Sequence, residues 1–282
     1  MTQNLNQPTL PATLPISLSH VLNRICVRPP YFALRHLYSI GDMLHATAPT
    51  ELVLGLEQAP ISAAEMGRHA AILGLCTAAL TRSDDARCYY LAHRARFTGH
   101  PVTANAGEVH FSAQLSYLDK RKAVAQITVL ADGSLLGELT VDYTVLTESA
   151  FARMFRSKQQ PGAQTPNYEA ELAGSWHYGR DNVTFSVPEI PLSVCAGHFE
   201  DYPALPVAVL MSYLVRLGGH LVGGPYRSVY GEVKADDLCW AGAGVRFEVE
   251  RTHREGNLHH FRGIVTSEER VKGEMTFGLT AL

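Results

Sequence analysis

The sequence predicts an α+β chain of two tandem domains, in each of which a curved antiparallel sheet wraps around one long central helix. Three observations carry this expectation. The chain has 282 residues, about twice a typical domain of roughly 100–150 residues. Two long apolar segments, at 63–80 and 205–221, have helical length, and the first lacks a polar stripe along one side. Each follows a strand candidate and precedes four more, so one order of elements occurs twice. A helix that is apolar all round must be covered, and a sheet curling around it is the economical layering.

The elements follow in chain order. A polar, proline-containing arm runs to about residue 16, and a short helix is expected over 17–27 with Ser17 as N-cap. Arg28-Pro29-Pro30 breaks it. Leu52, Leu54 and Leu56 alternate with Val53, Gly55 and Glu57, the period of a strand over 50–58. Pro60 and Ser62 read as a helix start, and AAEMGRHAAILGLCTAAL then supplies the first long helix. Strands are expected over 86–97, 108–119, 122–131 and 135–146, the last two joined by Asp132-Gly133, a strong hairpin signal. A short helix over 149–156 leads into the polar, Pro/Gly-containing stretch Gln159 to Asn167, which has linker composition. After it come a strand over 182–187, the second long helix, and strands over 226–234, 245–254, 258–267 and 271–280. The division this suggests is an arm at 1–30, a first domain at 31–147, a linker at 148–175 and a second domain at 176–282.

Composition narrows the function. Hydrophobic residues make up 46% and charged residues 18%, with a net charge of −3. That balance argues against a dedicated nucleic-acid binder. No apolar run approaches the ~18–20 residues of a membrane span, and residues 1–15 lack the basic start and apolar stretch of a secretory signal. Five scattered cysteines without CxxC spacing suggest a reduced, cytoplasmic protein with buried thiols, Cys76 and Cys195 included. His259-His260 would point to opposite faces of a strand, and GHLVGG at 219–224 reads as a helix stop. Metal-ligand spacing, a P-loop and a dinucleotide fingerprint are all missing, so neither metal nor cofactor is expected.

Residues 197–211 read GHFEDYPALPVAVLM. Pro203 and Pro206 stiffen this loop, and Pro206 suits a first helical turn. The unpaired N–H groups of that turn can polarise a thioester carbonyl, and His198 stands just upstream, where it can move a proton near neutral pH. Gly197, His198, Phe199, Pro203 and Pro206 match the spacing of the active-site loop of the 3-hydroxyacyl-carrier-protein dehydratases, and the segment resembles them. The resemblance implies a double-hotdog chain, two fused hotdog domains, in which His198 abstracts the α-proton of a 3-hydroxyacyl thioester and a carboxylic acid helps the hydroxyl leave. It places Gly197, Phe199, Pro206 and Val207 around the substrate.

The sequence departs from that pattern in three places. Val207 replaces the glycine after the second proline, Ser212 takes the acidic position on the second helix, and the first half has no Gly-His-Phe loop. One working site per chain is therefore expected, with His198 facing the first long helix. Near the start of that helix stand Glu65, Arg68 and His69. Glu65 and His69 share a face, and either can be the partner of His198. Arg68 is a candidate substrate contact. The leading expectation is dehydration of a 3-hydroxyacyl thioester, with an acyl carrier protein or CoA as carrier, in fatty-acid or polyketide-like biosynthesis. Lys120-Arg121-Lys122 and Arg94/Arg96 are candidate landing sites for an acidic carrier protein. The alternatives are a hotdog thioesterase, with Glu65 as base, and a non-catalytic acyl-binding or partner-stabilising protein, since fold alone does not assign chemistry. Internal pairing of two domains allows a monomer as well as a homodimer.

Overall fold

The computed structural model describes residues 13–51, 54–102, 108–160 and 171–282. The described chain opens with edge strand β1 (Thr13–Pro15) and helix α1 (Leu18–Leu22). A hairpin of β2 (Arg35–Ile40) and β3 (Met43–Pro49) follows, then the long helix α2 (Ala63–Thr81). Four strands come next: β4 (Cys88–Gly99), β5 (Glu108–Leu118), β6 (Lys122–Ala131) and β7 (Ser134–Thr147), with α3 (Glu148–Met154) after them. The second half comprises β8 (Ser175–Tyr178), β9 (Asn182–Val187), β10 (Ala204–Leu205) and helix α4 (Val207–Val222). It closes with β11 (Tyr226–Ala235), β12 (Cys239–Trp240), β13 (Val245–Glu255), β14 (Leu258–Ser267) and β15 (Arg270–Ala281).

Thirteen of these strands make one antiparallel sheet in the order β1-β2-β3-β5-β6-β7-β4-β11-β15-β14-β13-β9-β8. The two halves meet at β4 and β11, paired from Arg94↔Lys234 to Thr98↔Tyr230. Beyond Arg94 the two strands part, because β11 ends at Ala235 while β4 continues back to Cys88 along β7. That parting opens the sheet beside the site described below.

α2 packs on β3, β5 and β6, and α4 on β9, β13 and β15, and the two helices touch each other. Fifteen of the nineteen residues of α2 are buried, which is why its sequence lacks a polar stripe. Each large side chain so buried contributes roughly 1.5–3 kcal/mol relative to exposure. Ser62 caps α2 by accepting a hydrogen bond from the Glu65 N–H at 3.2 Å. α4 stops at Gly223, whose φ of 82° is left-handed and whose N–H bonds to the Gly219 carbonyl. No helix among the described residues is long and apolar enough to cross a membrane.

Two expected elements differ. Helix 17–27 shortens to α1. The strand over 50–58 is not formed by Glu51 or by residues 54–58, and Leu52 and Val53 lie outside the described residues. Gly55, at a φ of 60°, sits in a turn, Leu56 is exposed, and Glu57 folds inward to bridge Tyr226. The leucine alternation thus imitated a strand, while the sheet positions went to β2 and β3, which the polar residues of 35–49 had concealed. Residues 161–170 of the expected linker also lie outside the described residues.

Candidate active site at the α4 N-terminus

The loop before α4 is built from both halves of the chain. Phe199 and Tyr202, from the second half, are buried in the core of the first. There Phe199 meets the Tyr89 ring edge-on at 5.1 Å, and Tyr89 stacks on Phe151 of α3 at 3.6 Å. Glu200 accepts from Arg28 Nε at 2.9 Å and is also paired with Arg87. Gly197 has a φ of 80°, and an added Cβ would run into the Arg28 carbonyl oxygen and stand 3.0 Å from the Tyr31 nitrogen. Only glycine fits this approach.

Three hydrogen bonds fix His198. Its N–H donates to the Cys195 carbonyl at 2.8 Å, and its own carbonyl accepts from Ala204 N–H at 3.0 Å. Its Nδ1 lies 3.0 Å from the Ala204 carbonyl. A carbonyl only accepts, so Nδ1 carries the proton and Nε2 keeps its lone pair. The Tyr31 ring meets the imidazole edge-on at 5.3 Å. Burial lowers the His198 pKa to about 4, against the opposing pull of the Ala204 bond. The residue keeps partial access to solvent through the adjoining cavity. At neutral pH it is an uncharged base.

That cavity has a volume of about 270 Å³. Its walls are Gly67, Arg68, Ala71, Ile72 and Leu75 on α2, Val207, Ala208 and Met211 on α4, and apolar residues of β4, β7 and β11. His198 and Phe199 line it, and its outer rim carries His93, Asp236, Asp237, Leu238 and Met154 beside the parting of β4 from β11. Val207 and Ala208 are the first two residues of α4, whose N–H groups have no carbonyl one turn earlier within the helix. The N-cap is Pro206, which supplies no side-chain acceptor.

The opposite helix start is different. Glu57 Oε1 accepts from the Ala63 N–H at 3.2 Å and from Ser228 Oγ at 2.6 Å. Burial raises the Glu57 pKa. The space beside it, among Pro60, Met66, Phe97 and Ser228, measures about 10 Å³.

The residues named from sequence separate into groups. His198, Phe199, Val207 and Arg68 line the large cavity, whereas Gly197 and Pro206 shape the loop without lining it. Glu65 and His69 lie on the neighbouring face of α2 and do not line it. Glu65 Oε1 accepts from the Glu51 N–H at 2.7 Å. His69 Nε2 stands 3.7 Å from Glu65, too far for a hydrogen bond, and its ring packs edge-on against Phe111. His69 is fully buried, which lowers its pKa. Ser212 lines neither cavity. All five cysteines are buried and unpaired, and burial pushes the Cys195 thiol up to about 12. Among the described residues no three of His, Cys, Asp and Glu are grouped to hold a metal ion. Tyr31, Asp236 and Asp237 were not foreseen. The Pro29-Pro30 pair ahead of Tyr31 marks a break but no chemistry, and no motif singles out the two aspartates.

No family model matches the chain, and no curated protein matches it significantly. Solved structures do. A tesB protein from Mycobacterium avium subsp. paratuberculosis superposes with a TM-score of 0.58 at 12% identity, covering 94% of this chain and 99% of that one. An acyl-ACP thioesterase from Bacteroides thetaiotaomicron gives 0.57 at 9% identity, over 84% and 98%. A conserved protein with a hot dog fold from Alicyclobacillus acidocaldarius gives 0.53 at 13% identity, over 90% and 98%. Identities this low speak for the fold alone. Taken with the repeated helix-and-sheet halves joined through β4 and β11, they show that this chain has the hotdog fold.

Proposed function

We propose that the chain hydrolyses an acyl thioester, with His198 as general base at the N-terminus of α4. One observation carries this reading: a neutral histidine of fixed tautomer beside an uncapped helix start, both lining a largely apolar cavity. The acyl chain occupies the cavity between α2 and the sheet. His198 Nε2 takes a proton from a water molecule, and the hydroxide attacks the thioester carbonyl carbon. The N–H groups of Val207 and Ala208 receive the developing oxyanion, aided by the dipole of α4. The carbon–sulfur bond then breaks, the electron pair leaves on sulfur, and the imidazolium returns its proton to the thiolate. The products are a free acid and a free thiol. The thioesterase name of the similar structure from Bacteroides thetaiotaomicron supports this reading.

Dehydration remains the second reading because of Gly197-His198-Phe199 with Pro203 and Pro206. It requires an acid to protonate the departing hydroxyl, and α2 offers the cavity Gly67, Arg68 and Ala71 in place of a carboxylic acid. Asp237, on the rim, is engaged by Lys272 at 2.7 Å. Hydrolysis needs no second acid. The carrier is an acyl carrier protein or CoA. Of the basic candidates, Arg94 lines the cavity but is paired with Glu232. Mass spectrometry of the protein incubated with acyl- and 3-hydroxyacyl-thioesters tests the proposal. Free acid and thiol are expected, whereas loss of one water from an intact thioester would transfer the assignment to dehydration.

A further inference from the structure

Arg68 lies at the cavity wall and is only 1% exposed, and its guanidinium is engaged by the protein itself. Nε donates to the Tyr31 carbonyl at 2.9 Å, and Nη2 donates to the same carbonyl at 2.6 Å and to that of Pro30 at 3.0 Å. Nη1 donates to Glu51 at 2.8 Å. The guanidinium carbon stands 4.8 Å from the centre of the Tyr31 ring. Nε and Nη2 of its planar fork are thus spent on one turn of the chain and Nη1 on Glu51, a geometry lysine cannot reproduce.

That turn touches the catalytic loop at two points. The Arg28 N–H donates to the Gly197 carbonyl at 2.9 Å, and the Tyr31 ring abuts the His198 imidazole at 5.3 Å. The buried Glu65 carboxylate joins the same chain of contacts by holding the Glu51 backbone, whose side chain orients Arg68. We propose that Arg68 is a positioning residue: through the Pro30 and Tyr31 carbonyls it holds the 28–31 turn against Gly197–His198, and so keeps the imidazole in one orientation beside α4. The first half then contributes to the site a clamp on the histidine, with Glu65 supporting it from behind.

This inference rests on His198 as the catalytic base, so its test has one arm that needs no turnover. In protein labelled with ¹⁵N-histidine, NMR should show His198 as the Nδ1–H tautomer with a slowly exchanging proton. In Arg68→Met that proton should exchange faster and the two nitrogen shifts should converge. A misplaced catalytic group costs up to about 100-fold, so kcat should fall about 10- to 100-fold with KM within about two-fold, and Arg68→Lys should lie between Arg68→Met and wild type. Should Arg68→Met fail to fold, Arg68→Gln carries the same test, since it keeps a polar side chain and loses the two-nitrogen grip on the Tyr31 carbonyl. A folded variant with an unchanged His198 signature overturns the proposal. A raised KM at unchanged kcat also overturns it and makes Arg68 a substrate contact. If wild type turns over no thioester, the hydrolase reading fails and the NMR arm still decides the clamp.

Discussion

The starts of α2 and α4 occupy corresponding places in the two halves, and they differ group by group. At α2 the Ser62 hydroxyl and the Glu57 carboxylate take up first-turn N–H groups, and about 10 Å³ of space remains nearby. At α4 the cap is a proline, the first two residues line a cavity of about 270 Å³, and a neutral histidine lines the same cavity. A helix start that is fully capped is stable and inert. One left open retains the dipole and donors that can stabilise a developing negative charge. The contrast teaches that one helix start is closed by its own side chains, and that the other is left open, as the proposed hydrolysis requires.

The largest expected effect comes from removing the base. His198→Ala should slow turnover about 10²- to 10⁴-fold, measured as thiol release under saturating substrate, while an unaltered rate would place the chemistry elsewhere. Gly197→Ala attacks the same end through the backbone. Its left-handed φ and the collision with the Arg28 carbonyl should cost about 2–4 kcal/mol in chemical denaturation, and a loss below about 0.5 kcal/mol would mean the loop is not held as described.

The two ends should also respond oppositely to pH. The His198 pKa of about 4 lies below its unfolded value near 6.5. The unfolded chain therefore takes the proton first, and the stability from this group is complete above about pH 6.5 and lost as pH falls toward 4. Glu57 is raised instead, so its contribution is complete below its unfolded pKa near 4.5 and declines as pH rises through the folded value. Glu57→Gln keeps the acceptor for Ala63 and Ser228 but cannot ionise. It should raise the melting temperature at pH 8 and change it little at pH 4. An equal shift at both values would exclude ionisation as the cause.

Smaller effects sharpen the contrast. Ser62→Ala should destabilise by about 1 kcal/mol without changing kcat. Pro206→Ser would give α4 the cap that α2 has. It should stabilise by at most about 1 kcal/mol and still lower kcat, because the new hydroxyl competes with the oxyanion for first-turn donors. A Pro206→Ser enzyme with higher kcat would contradict the oxyanion role.

The long helices, the meanders and the GHF…P…P loop were legible because each leaves a local signal: apolar runs, Asp-Gly turns, fixed proline spacing. β2 and β3 were not, since 35–49 mixes histidine, threonine and glycine on a hairpin near one end of the sheet, and Leu52, Leu54 and Leu56 offered a more regular alternation beside it. His198 was legible and its surroundings were not. Glu65, Arg68 and His69 were a cluster without direction until the pitch of α2 placed Arg68 toward Tyr31 and the cavity, and the other two toward Glu51 and Phe111. Tyr31 meets His198 across most of the chain length, and no spacing rule encodes that contact.

Hydrolysis of an acyl thioester in ¹⁸O-water, with wild type and His198→Ala side by side, tests the central claim most directly. The account predicts free acid carrying one ¹⁸O atom from wild type and little or none from the variant. An enoyl thioester as product, or labelled acid formed equally by both proteins, would contradict it.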